Sequence, residues 1–426
     1  MKIAVVGTGI AGNVAAYRLH RDGHEVTVFE AGSHVGGHTH THAIEHEGRQ
    51  YAVDTGFIVF NDWTYPNFIA LLDELGVAAQ DSSMSFSVRD EASGLEYNGT
   101  SLNTLFAQRR NLVRPSFLGM IRDILRFNRE APRLLDTPDD GLTLGEFLAR
   151  GGYGRAFVDH YIVPMGAAIW STDPVSMRQF PAHFFVRFFH NHGMLSVDAR
   201  PVWRVIRGGS ARYVDKLVAP FRDRIRVDTP VESIRRVPDG VMLQARGLAA
   251  AHYDAVFLAC HSDQALRLLA DPTADERAVL GALPYQENSA ILHTDARLMP
   301  RRKLAWAAWN YHIPRTPTER VALTYDMNIL QGLESREPLL VTLNRDDAID
   351  PAKVIKRMVY HHPLFTPAGI AAQARHAAID GVCHTYYCGA YWRNGFHEDG
   401  VVSALTALDH FRTRTAHAQR PLQRTA

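Results

Sequence analysis

The sequence has few cysteines, little net charge and no long uninterrupted apolar stretch. Three cysteines, an odd number, are too few for a disulfide framework and favour a reducing compartment. The net charge of +1 gives no overall attraction to nucleic acid, so we expect no nucleic-acid partner. The apolar run over residues 3–19 is broken by three glycines, which predicts neither a signal peptide nor a membrane span. We expect a cytoplasmic protein whose contact with the inner membrane, if any, is peripheral.

The chain is also too long for one compact core, because 426 residues exceed the usual size of a single domain. Its 46% hydrophobic and 21% charged residues are typical of a globular enzyme. His38, His40 and His42 alternate with threonines and would share one face of a β-strand. No cysteine or carboxylate cluster nearby completes a metal-ligand set, so we predict no metal site.

The first thirty residues follow the order strand, glycine loop, helix, strand, acid. Gly7, Gly9 and Gly12 have the GxGxxG spacing, with Ile10 and Ala11 between the last two. Such glycines permit the tight turn, the approach of a pyrophosphate, and close packing of helix on strand. Glu30, followed by Ala31, ends the second strand, where a carboxylate can hold ribose hydroxyls. The pattern predicts a dinucleotide-binding site.

A second glycine pair, Gly36 and Gly37, follows in "AGSHVGGHT". Here the sequence resembles the flavin-dependent amine oxidase and phytoene desaturase superfamily, which places a glycine pair near FAD after the ribose-binding acid. The resemblance implies non-covalently bound FAD. The family's usual GGR has an arginine where this chain has His38, so a titratable group replaces a permanent cation.

The resemblance extends along the chain and implies further cofactor contacts. They lie in a D-x-G segment, in the strand of residues 226–236, and in a C-terminal motif with one glycine after a strand and another opening a helix. They are Thr55, Gly56, Phe57, Val231, Gly389, Phe396, Asp399, Gly400 and Val401.

The implied fold is α/β, with a discontinuous Rossmann-type FAD-binding domain, an α+β substrate domain and an amine-oxidase-like two-domain architecture. The expected FAD-binding domain comprises residues 1–80, 204–290 and 378–426. The expected substrate domain comprises residues 81–203 and 291–377.

Several central segments, including residues 161–174 and 188–210, resemble a narrower group. This group is the FAD-oxidase-like domain fused to plant cyclopropane fatty acid synthases, together with its free-standing bacterial relatives. The resemblance implies a lipid acyl substrate and a lipid methyltransferase as a possible partner.

The resemblance also implies three candidate catalytic residues. Phe396 stands where amine oxidases often carry a tyrosine, and Lys303 lies in the region of a lysine that holds a water near the flavin. His397, together with the adjacent Glu398 and Asp399, is a candidate for proton handling or flavin hydrogen bonding. The alternative for this segment is structural, with Asp399 capping a helix and Glu398 in a surface ion pair.

Two other segments allow more than one interpretation. The run "HFFVRFFHNHGML" (183–195) fits a wall of the substrate cavity, plain core or metal ligation. Residues 105–135 form a basic amphipathic pattern, which fits a helix with solvated arginines or contact with anionic lipid headgroups.

Together these features predict an FAD-dependent oxidoreductase that abstracts hydride from a hydrophobic substrate, such as a phospholipid acyl chain. One alternative is an FAD-dependent amine oxidase. The other is a non-catalytic flavoprotein partner of a lipid methyltransferase.

Overall fold

The computed structural model describes residues 1–196, 200–316 and 318–418. Residues 419–426, assigned above to the FAD-binding domain, lie outside the described residues, as do 197–199 and 317 of the expected substrate domain. The described strands are β1 (Lys2–Val6), β2 (Glu25–Phe29), β3 (Thr41–His46), β4 (Arg49–Asp54), β5 (Phe60–Asn61), β6 (Ala79–Asp81), β7 (Phe86–Asp90), β8 (Leu95–Asn98), β9 (Trp203–Ile206), β10 (Ile225–Arg226), β11 (Val231–Val237), β12 (Gly240–Ala245), β13 (Ala251–Tyr253), β14 (Ala255–Leu258), β15 (Tyr285–His293), β16 (Trp309–Ile313), β17 (Leu323–Asp326), β18 (Leu340–Leu343), β19 (Val354–Pro363) and β20 (Thr385–Tyr387).

The described α-helices are α1 (Ile10–Arg21), α2 (Pro66–Leu75), α3 (Leu102–Leu105), α4 (Pro115–Glu130), α5 (Leu144–Arg150), α6 (Arg155–Phe157), α7 (Val163–Trp170), α8 (Pro174–Arg178), α9 (Ala182–Asn191), α10 (Ala211–Val218), α11 (Ser262–Leu268), α12 (Ala274–Leu280), α13 (Met327–Gln331), α14 (Pro367–Gln373), α15 (His376–Ile379) and α16 (His397–Ala418). Short 3-10 helices and one π-helix (Val158–Ile162) connect them; the 3-10 helices are Arg109–Val113, Ala131–Asp136, Ala219–Arg224, Ala296–Leu298, Lys303–Ala305, Pro351–Lys353 and Ala390–Trp392. Within the described residues, no helix combines the length and apolar character needed to cross a bilayer.

A five-stranded parallel sheet carries the N-terminal glycine motif. Its strand order is β10-β2-β1-β14-β20, so β1 and β14 are neighbours near its centre. Strand β1 is buried, as its apolar sequence predicts, and Ile3, Ala4 and Val5 are fully inaccessible to solvent. Helices α1 and α16 pack together in the same half. This arrangement confirms the predicted Rossmann-type fold.

A seven-stranded mixed sheet forms the second half, in the order β19-β15-β18-β17-β16-β7-β8. Its pairs are antiparallel except β7–β16, which is parallel. Side chains of α4, α7 and α9 join this sheet in one buried apolar cluster, which includes Phe117, Ala167 and Phe185. The half is therefore α+β, as predicted.

The expected domain boundary between residues 290 and 291 falls inside a strand. Strand β15 pairs with β19 from Tyr285 opposite Pro363 to His293 opposite Val354, so all of it belongs to the seven-stranded sheet. That boundary is wrong because a sheet ladder cannot change domain in mid-strand. The boundaries between residues 80 and 81 and between residues 203 and 204 are wrong for the same reason, because they fall inside β6 and β9, which pair with each other. The boundary between residues 377 and 378 stays a prediction.

The alternating histidines do not share one strand face. Strand β3 begins at Thr41, after His38 and His40. Instead, the ring of His40 lies between those of His34 and His42, with centroid distances of 4.0 Å on each side. Among the described residues, no group of three or more histidine, cysteine or acidic side chains is arranged to hold a metal ion.

Candidate functional site

A cavity of about 590 Å³ lies where the two halves meet. The loops after β1, β2 and β14 form one end of it, at the carboxyl edge of the parallel sheet. Side chains from α7, β16, β17 and β19 form the other end. Ligands of open α/β sheets bind at such an edge, and the volume is within the range of cofactor sites.

The wall formed by the glycine loop is tightly packed backbone. Gly7 has a φ of +103°, and a Cβ there would lie 2.8 Å from the carbonyl oxygen of Ala259. A Cβ on Gly12 would lie 2.0 Å from the carbonyl oxygen of Gly7, so this glycine lets α1 pack on the turn. Gly12 does not line the cavity, whereas Gly7, Gly9, Ile10 and Ala11 do. This end exposes backbone and the N-terminus of α1, which together suit a phosphate.

The Glu30 carboxylate lines the same end. One oxygen accepts from Gly32 N at 2.9 Å, and the other from Thr8 N at 3.0 Å and from the Thr8 hydroxyl. A carboxylate has about four lone-pair sites, so acceptor capacity remains for ribose hydroxyls. Thr8 also accepts from Gly36 N at 3.3 Å, which ties the first glycine loop to the second. Thr8 occupies a variable position of the motif, so no sequence pattern marks it.

The second glycine loop and the D-x-G segment meet beside the first loop. Gly36, Gly37, Gly56 and Phe57 line the cavity, as do Ala31, Val231 and Gly389. A Cβ on Gly56 would lie 2.2 Å from the carbonyl oxygen of His38, which in turn accepts from Phe57 N at 2.7 Å. Thr55 does not line the cavity, and its hydroxyl lies 2.7 Å from the Tyr360 hydroxyl. Thr55 therefore packs behind the cavity wall.

His38 lines the cavity, with its ring near those of Tyr360 and His362 at centroid distances of 5.2 and 5.4 Å. Burial, together with nearby His361, lowers the pKa of His38 to about 4. The ring is therefore neutral at pH 7. It does not reproduce the permanent cation of the arginine that it replaces.

His397 and Phe396 line the cavity at the start of α16. The His397 Nε2 atom lies 2.9 Å from both the Thr39 and Tyr213 hydroxyls, and its ring stacks on Phe57 at 3.4 Å between centroids. Burial lowers the pKa of His397 well below its ordinary value, so this ring is also neutral. The Phe396 ring stacks on Phe188 at 5.2 Å.

The start of α16 differs from the expectation in two respects. The helix begins at His397, so Gly400 is its fourth residue rather than its first, and Gly400 N donates to Phe396 O at 3.0 Å. Neither Gly400 nor Val401 lines the cavity. A Cβ on Gly400 would lie 2.5 Å from Ile10 Cγ2, so this glycine allows α16 to pack closely on α1.

The two acids of this turn are buried and have structural partners. Asp399 accepts from Phe396 N at 2.9 Å and caps α16, and burial raises its pKa to about 6. Glu398 was expected in a surface ion pair, which is wrong. Its carboxylate accepts from Asn67 N and Phe68 N at 3.1 and 2.9 Å, so it caps α2 instead. Asp399 does not line the cavity.

Lys303 is not at the cavity, which contradicts its expected role beside the flavin. The residue is exposed in a 3-10 helix, with its ammonium nitrogen 5.8 Å from the centroid of the Trp306 ring. The loop around it is fixed elsewhere, because Arg301 N and Arg302 N donate to the Glu96 carboxylate.

Two groups of residues line the cavity although no sequence motif marked them. One follows β14, where Cys260 and His261 line the cavity and His261 stacks on Tyr285 at 4.3 Å. The position of this group directly after a buried strand could have predicted that it lies at the cavity, because ligands bind beyond the carboxyl ends of such strands. The other comprises His361 and His362 of β19, which no local pattern marks.

The far end of the cavity is apolar and aromatic. Its lining side chains come from separate elements, which the sequence alone could not bring together; they are Ile169, Trp170, Trp309, Tyr325, Phe365 and Phe396. The phenylalanine-rich helix α9 does not line the cavity, and its buried rings pack behind Trp170 and Phe396. Of the interpretations given for residues 183–195, the described part therefore supports core.

These features define a class: a two-domain protein with a dinucleotide cradle on a Rossmann-type sheet and an apolar cavity beneath a second sheet. Residues 10–349 match the family model of flavin containing amine oxidoreductases. The chain belongs to this family, whose members are flavin-dependent oxidoreductases. The glycine cradle and Glu30 fit such a cofactor.

Solved structures share the fold over nearly the whole chain. Cyclohexylamine oxidase from Brevibacterium oxydans superposes with a TM-score of 0.70 at 15% identity, covering 97% of this chain and 99% of that one. A fatty acid isomerase from P. acnes that produces CLA superposes with a TM-score of 0.69 at 16% identity, covering 96% and 98%. At these identities the likeness concerns the fold alone.

Sequence matches to curated proteins are short. A 1-hydroxycarotenoid 3,4-desaturase of Flavobacterium sp. is 37% identical over 103 residues, 24% of this chain and 19% of that protein. The flavin-dependent L-tryptophan oxidase RebO of Lentzea aerocolonigenes is 46% identical over 55 residues, 13% of this chain and 12% of that protein. A flavin-containing monooxygenase of Arabidopsis thaliana is 60% identical over 35 residues, 8% of each. The matched stretch thus spans less than a fifth of each relative.

Proposed function

We propose that this protein is an FAD-dependent oxidoreductase that removes a hydride from a C–H bond of a hydrophobic substrate, and that a phospholipid acyl chain is the favoured class. The observation that carries the proposal is the distribution of charge in the cavity. Among the described lining residues, Glu30 is the only carboxylate, and it lies at the glycine end. The aromatic end thus offers no acid to pair with a cationic substrate.

FAD is proposed because two features serve an adenosine diphosphate moiety. Glu30 retains capacity for ribose hydroxyls, and the Gly7–Gly12 turn suits a pyrophosphate. Non-covalent binding is proposed because neither nearby cysteine is activated. Burial raises the pKa of Cys260 to about 12, and that of the fully buried Cys388 well above its ordinary value.

The chemistry that FAD supplies when bound is acceptance of the hydride, with reoxidation by oxygen or a membrane quinone. The aromatic side chains would orient the substrate and exclude water. His397 is fixed by Phe57 on its face and by two hydroxyls at Nε2, so a proton can be shared among His397 Nε2, Thr39 Oγ1 and Tyr213 OH. We propose that His397 positions the flavin as a neutral hydrogen-bonding group.

Amine oxidation is the second candidate, and one observation favours it. The rings of Trp309 and Tyr325 stand at 90° with centroids 5.4 Å apart, and aromatic faces attract ammonium groups. Cyclohexylamine oxidase and putrescine oxidase share the fold. A non-catalytic partner of a lipid methyltransferase is the third candidate.

The deciding experiment is anaerobic bleaching of the flavin spectrum. The purified protein, reconstituted with FAD, would be mixed in turn with lipid extract and with a set of amines. We expect bleaching by the lipid extract alone. Bleaching by amines alone would overturn the acyl proposal in favour of amine oxidation, and no bleaching by either would favour the binding role. A protein that does not take up FAD contradicts the whole proposal.

A variant of the aromatic end sharpens this test. Trp309→Leu should leave flavin content unchanged and slow bleaching by the lipid extract about tenfold, because Trp309 lines the aromatic end of the cavity rather than the glycine end. Trp63→Leu, at an exposed tryptophan that does not line the cavity, is the control and should behave as wild type.

A further inference from the structure

The outer surface of the second half contains an unusual concentration of exposed aliphatic side chains. Among the described residues, fourteen large apolar side chains are exposed, and five of these lie between residues 102 and 125; they are Leu102, Leu112, Val113, Leu118 and Leu125. Val113 and Leu102 are 80% and 76% exposed, more than any of the others. Single exposed apolar residues are ordinary, but a contiguous group calls for a partner.

The same segment is strongly basic. Residues 102–135 contain seven arginines against two acids, Asp123 and Glu130, in a chain whose overall net charge is only +1. Asp123 is buried, accepts from Gly154 N at 2.8 Å and pairs with Arg122 and Arg126 at 3.6 Å, and Glu130 pairs with Arg129 at 3.0 Å. Seven arginines less two acids leave the segment a net charge of +5. We call this segment, with the neighbouring residues 301–304, the basic aliphatic surface.

Helix α4 shows how the two properties are combined. Phe117, Met120 and Phe127 are buried against the core. The opposite face carries leucines and arginines in alternation at positions 118, 122, 125 and 129, all exposed, which is the spacing of one helical face. Long arginine side chains beside leucines can reach outward to charged groups while the leucines enter an apolar layer.

Neighbouring elements extend the surface beyond α4. Arg109 donates to Asn103 O and Phe106 O, which holds the 3-10 helix Arg109–Val113 against α3. Helix α3 also contacts the 3-10 helix Lys303–Ala305, and residues 301–304 are all exposed. Lys303, which does not serve the cavity, thus belongs to this surface together with Leu304.

We propose that the basic aliphatic surface docks onto a bilayer leaflet that contains anionic phospholipid. Charge complementarity and the exposed leucines supply the two contributions that stable interfacial binding needs. A lipid surface fits better than an acidic protein, because the exposed apolar residues are leucine and valine rather than the aromatic anchors of protein interfaces.

The test measures binding of the flavin-loaded full chain to vesicles by flotation, without substrate or turnover. Vesicles of phosphatidylcholine with roughly one-third phosphatidylglycerol should bind the protein, whereas vesicles of phosphatidylcholine alone should not. Raising the salt from about 0.1 M to about 1 M should release most of it, because salt screens the arginines. Equal binding to both kinds of vesicle, or binding to neither, overturns the proposal.

Two double variants separate the two contributions. Arg122→Glu/Arg129→Glu and Leu112→Ser/Val113→Ser should each weaken binding to the anionic vesicles at least about tenfold. The control for the charge variant is Arg222→Glu/Arg224→Glu, whose arginines pair with nearby acids. The control for the apolar variant is Val175→Ser, at a side chain that is 75% exposed.

Unchanged flavin content and thermal midpoint show that the variants fold. Retained vesicle binding in both double variants, or equal loss in the controls, contradicts the proposal. The measurement does not involve oxidation, so its failure is distinguishable from failure of the proposed function.

Discussion

The two ends of the cavity are built in different ways. The glycine end is a backbone surface made by short contiguous segments, where added Cβ atoms would collide with carbonyl oxygens. The aromatic end is a side-chain surface assembled from α7, β16, β17 and the region after β19. The first fixes a cofactor by close packing and has little tolerance, whereas the second accepts substitution and can change substrate without loss of the fold. Substitutions at Gly12 and Gly9 on one side, and at Trp309 on the other, test this contrast.

The largest effect is expected at the glycine end. Gly12→Ala should abolish flavin binding and lower the free energy of unfolding by about 3 kcal/mol, because its Cβ meets the Gly7 carbonyl oxygen. Gly9→Ala is the matched control, since a Cβ there meets nothing within 4 Å. It should keep the thermal midpoint of the flavin-free protein and weaken flavin retention only. Thermal melting and the flavin-to-protein absorbance ratio measure both; a stable, flavin-loaded Gly12→Ala protein would contradict the close packing.

A second large effect is expected at the junction of the two halves. The buried Asp54 carboxylate accepts from Ser210 N at 2.9 Å and from Gln331 Nε2 at 3.0 Å, and Gln331 belongs to α13 of the second half. Asp54→Ala leaves these donors unpaired, so we expect the free energy of unfolding to fall by about 3 kcal/mol. Urea denaturation measures it. Asp81→Ala, at a side chain that is 80% exposed, is the control, and equal stability of both variants would show that the junction contributes little.

Acid should destabilise the protein through its buried histidines, several of which line the cavity. Burial lowers the pKa of His38 and His261 to about 4 and that of His362 to about 3. Their stabilising contribution is complete above the unfolded pKa of about 6.5 and is lost as pH falls towards 4. Asp54, Asp326 and Asp399, with pKa raised to about 6 by burial, act in the opposite sense, because their contribution is complete below about 4 and lost as pH rises through 6.

The histidines whose pKa is lowered outnumber the acids whose pKa is raised. We therefore expect the thermal midpoint to fall by at least about 5 °C between pH 7 and pH 5. His38→Gln should reduce this fall in the thermal midpoint. The control His190→Gln, at an exposed histidine, should leave the fall unchanged. A midpoint that rises on acidification would show that the acids dominate.

The smallest effect is expected at Lys303. Lys303→Ala should leave flavin content and the rate of anaerobic bleaching within about twofold of wild type, because the residue is exposed and does not line the cavity. Trp309→Leu in the same assay is the positive control. A decrease in bleaching rate of more than tenfold would show that Lys303 takes part in the reaction after all.

The contrast between the ends also explains what could be predicted from sequence. The spacing of Gly7, Gly9, Gly12 and Glu30 encodes a local geometry, so strand, turn and helix follow from a short window. Trp170, Trp309 and Phe365 are far apart in sequence, and only long-range strand pairing brings them together. The start of α16 was misplaced because Asp399 accepts from Phe396 N, which begins the helix before Gly400. Glu398 was misassigned because its partners lie some 330 residues earlier.

The β15–β19 ladder has a mechanical consequence. It lies at the edge of the large sheet and pairs continuously from Leu292 to the cavity, where Tyr285, His361 and His362 form part of the wall. A ladder of this length keeps this part of the wall stiff, because bending it would break several backbone hydrogen bonds together. Any opening that admits a substrate would therefore have to occur elsewhere in the cavity wall than along this ladder.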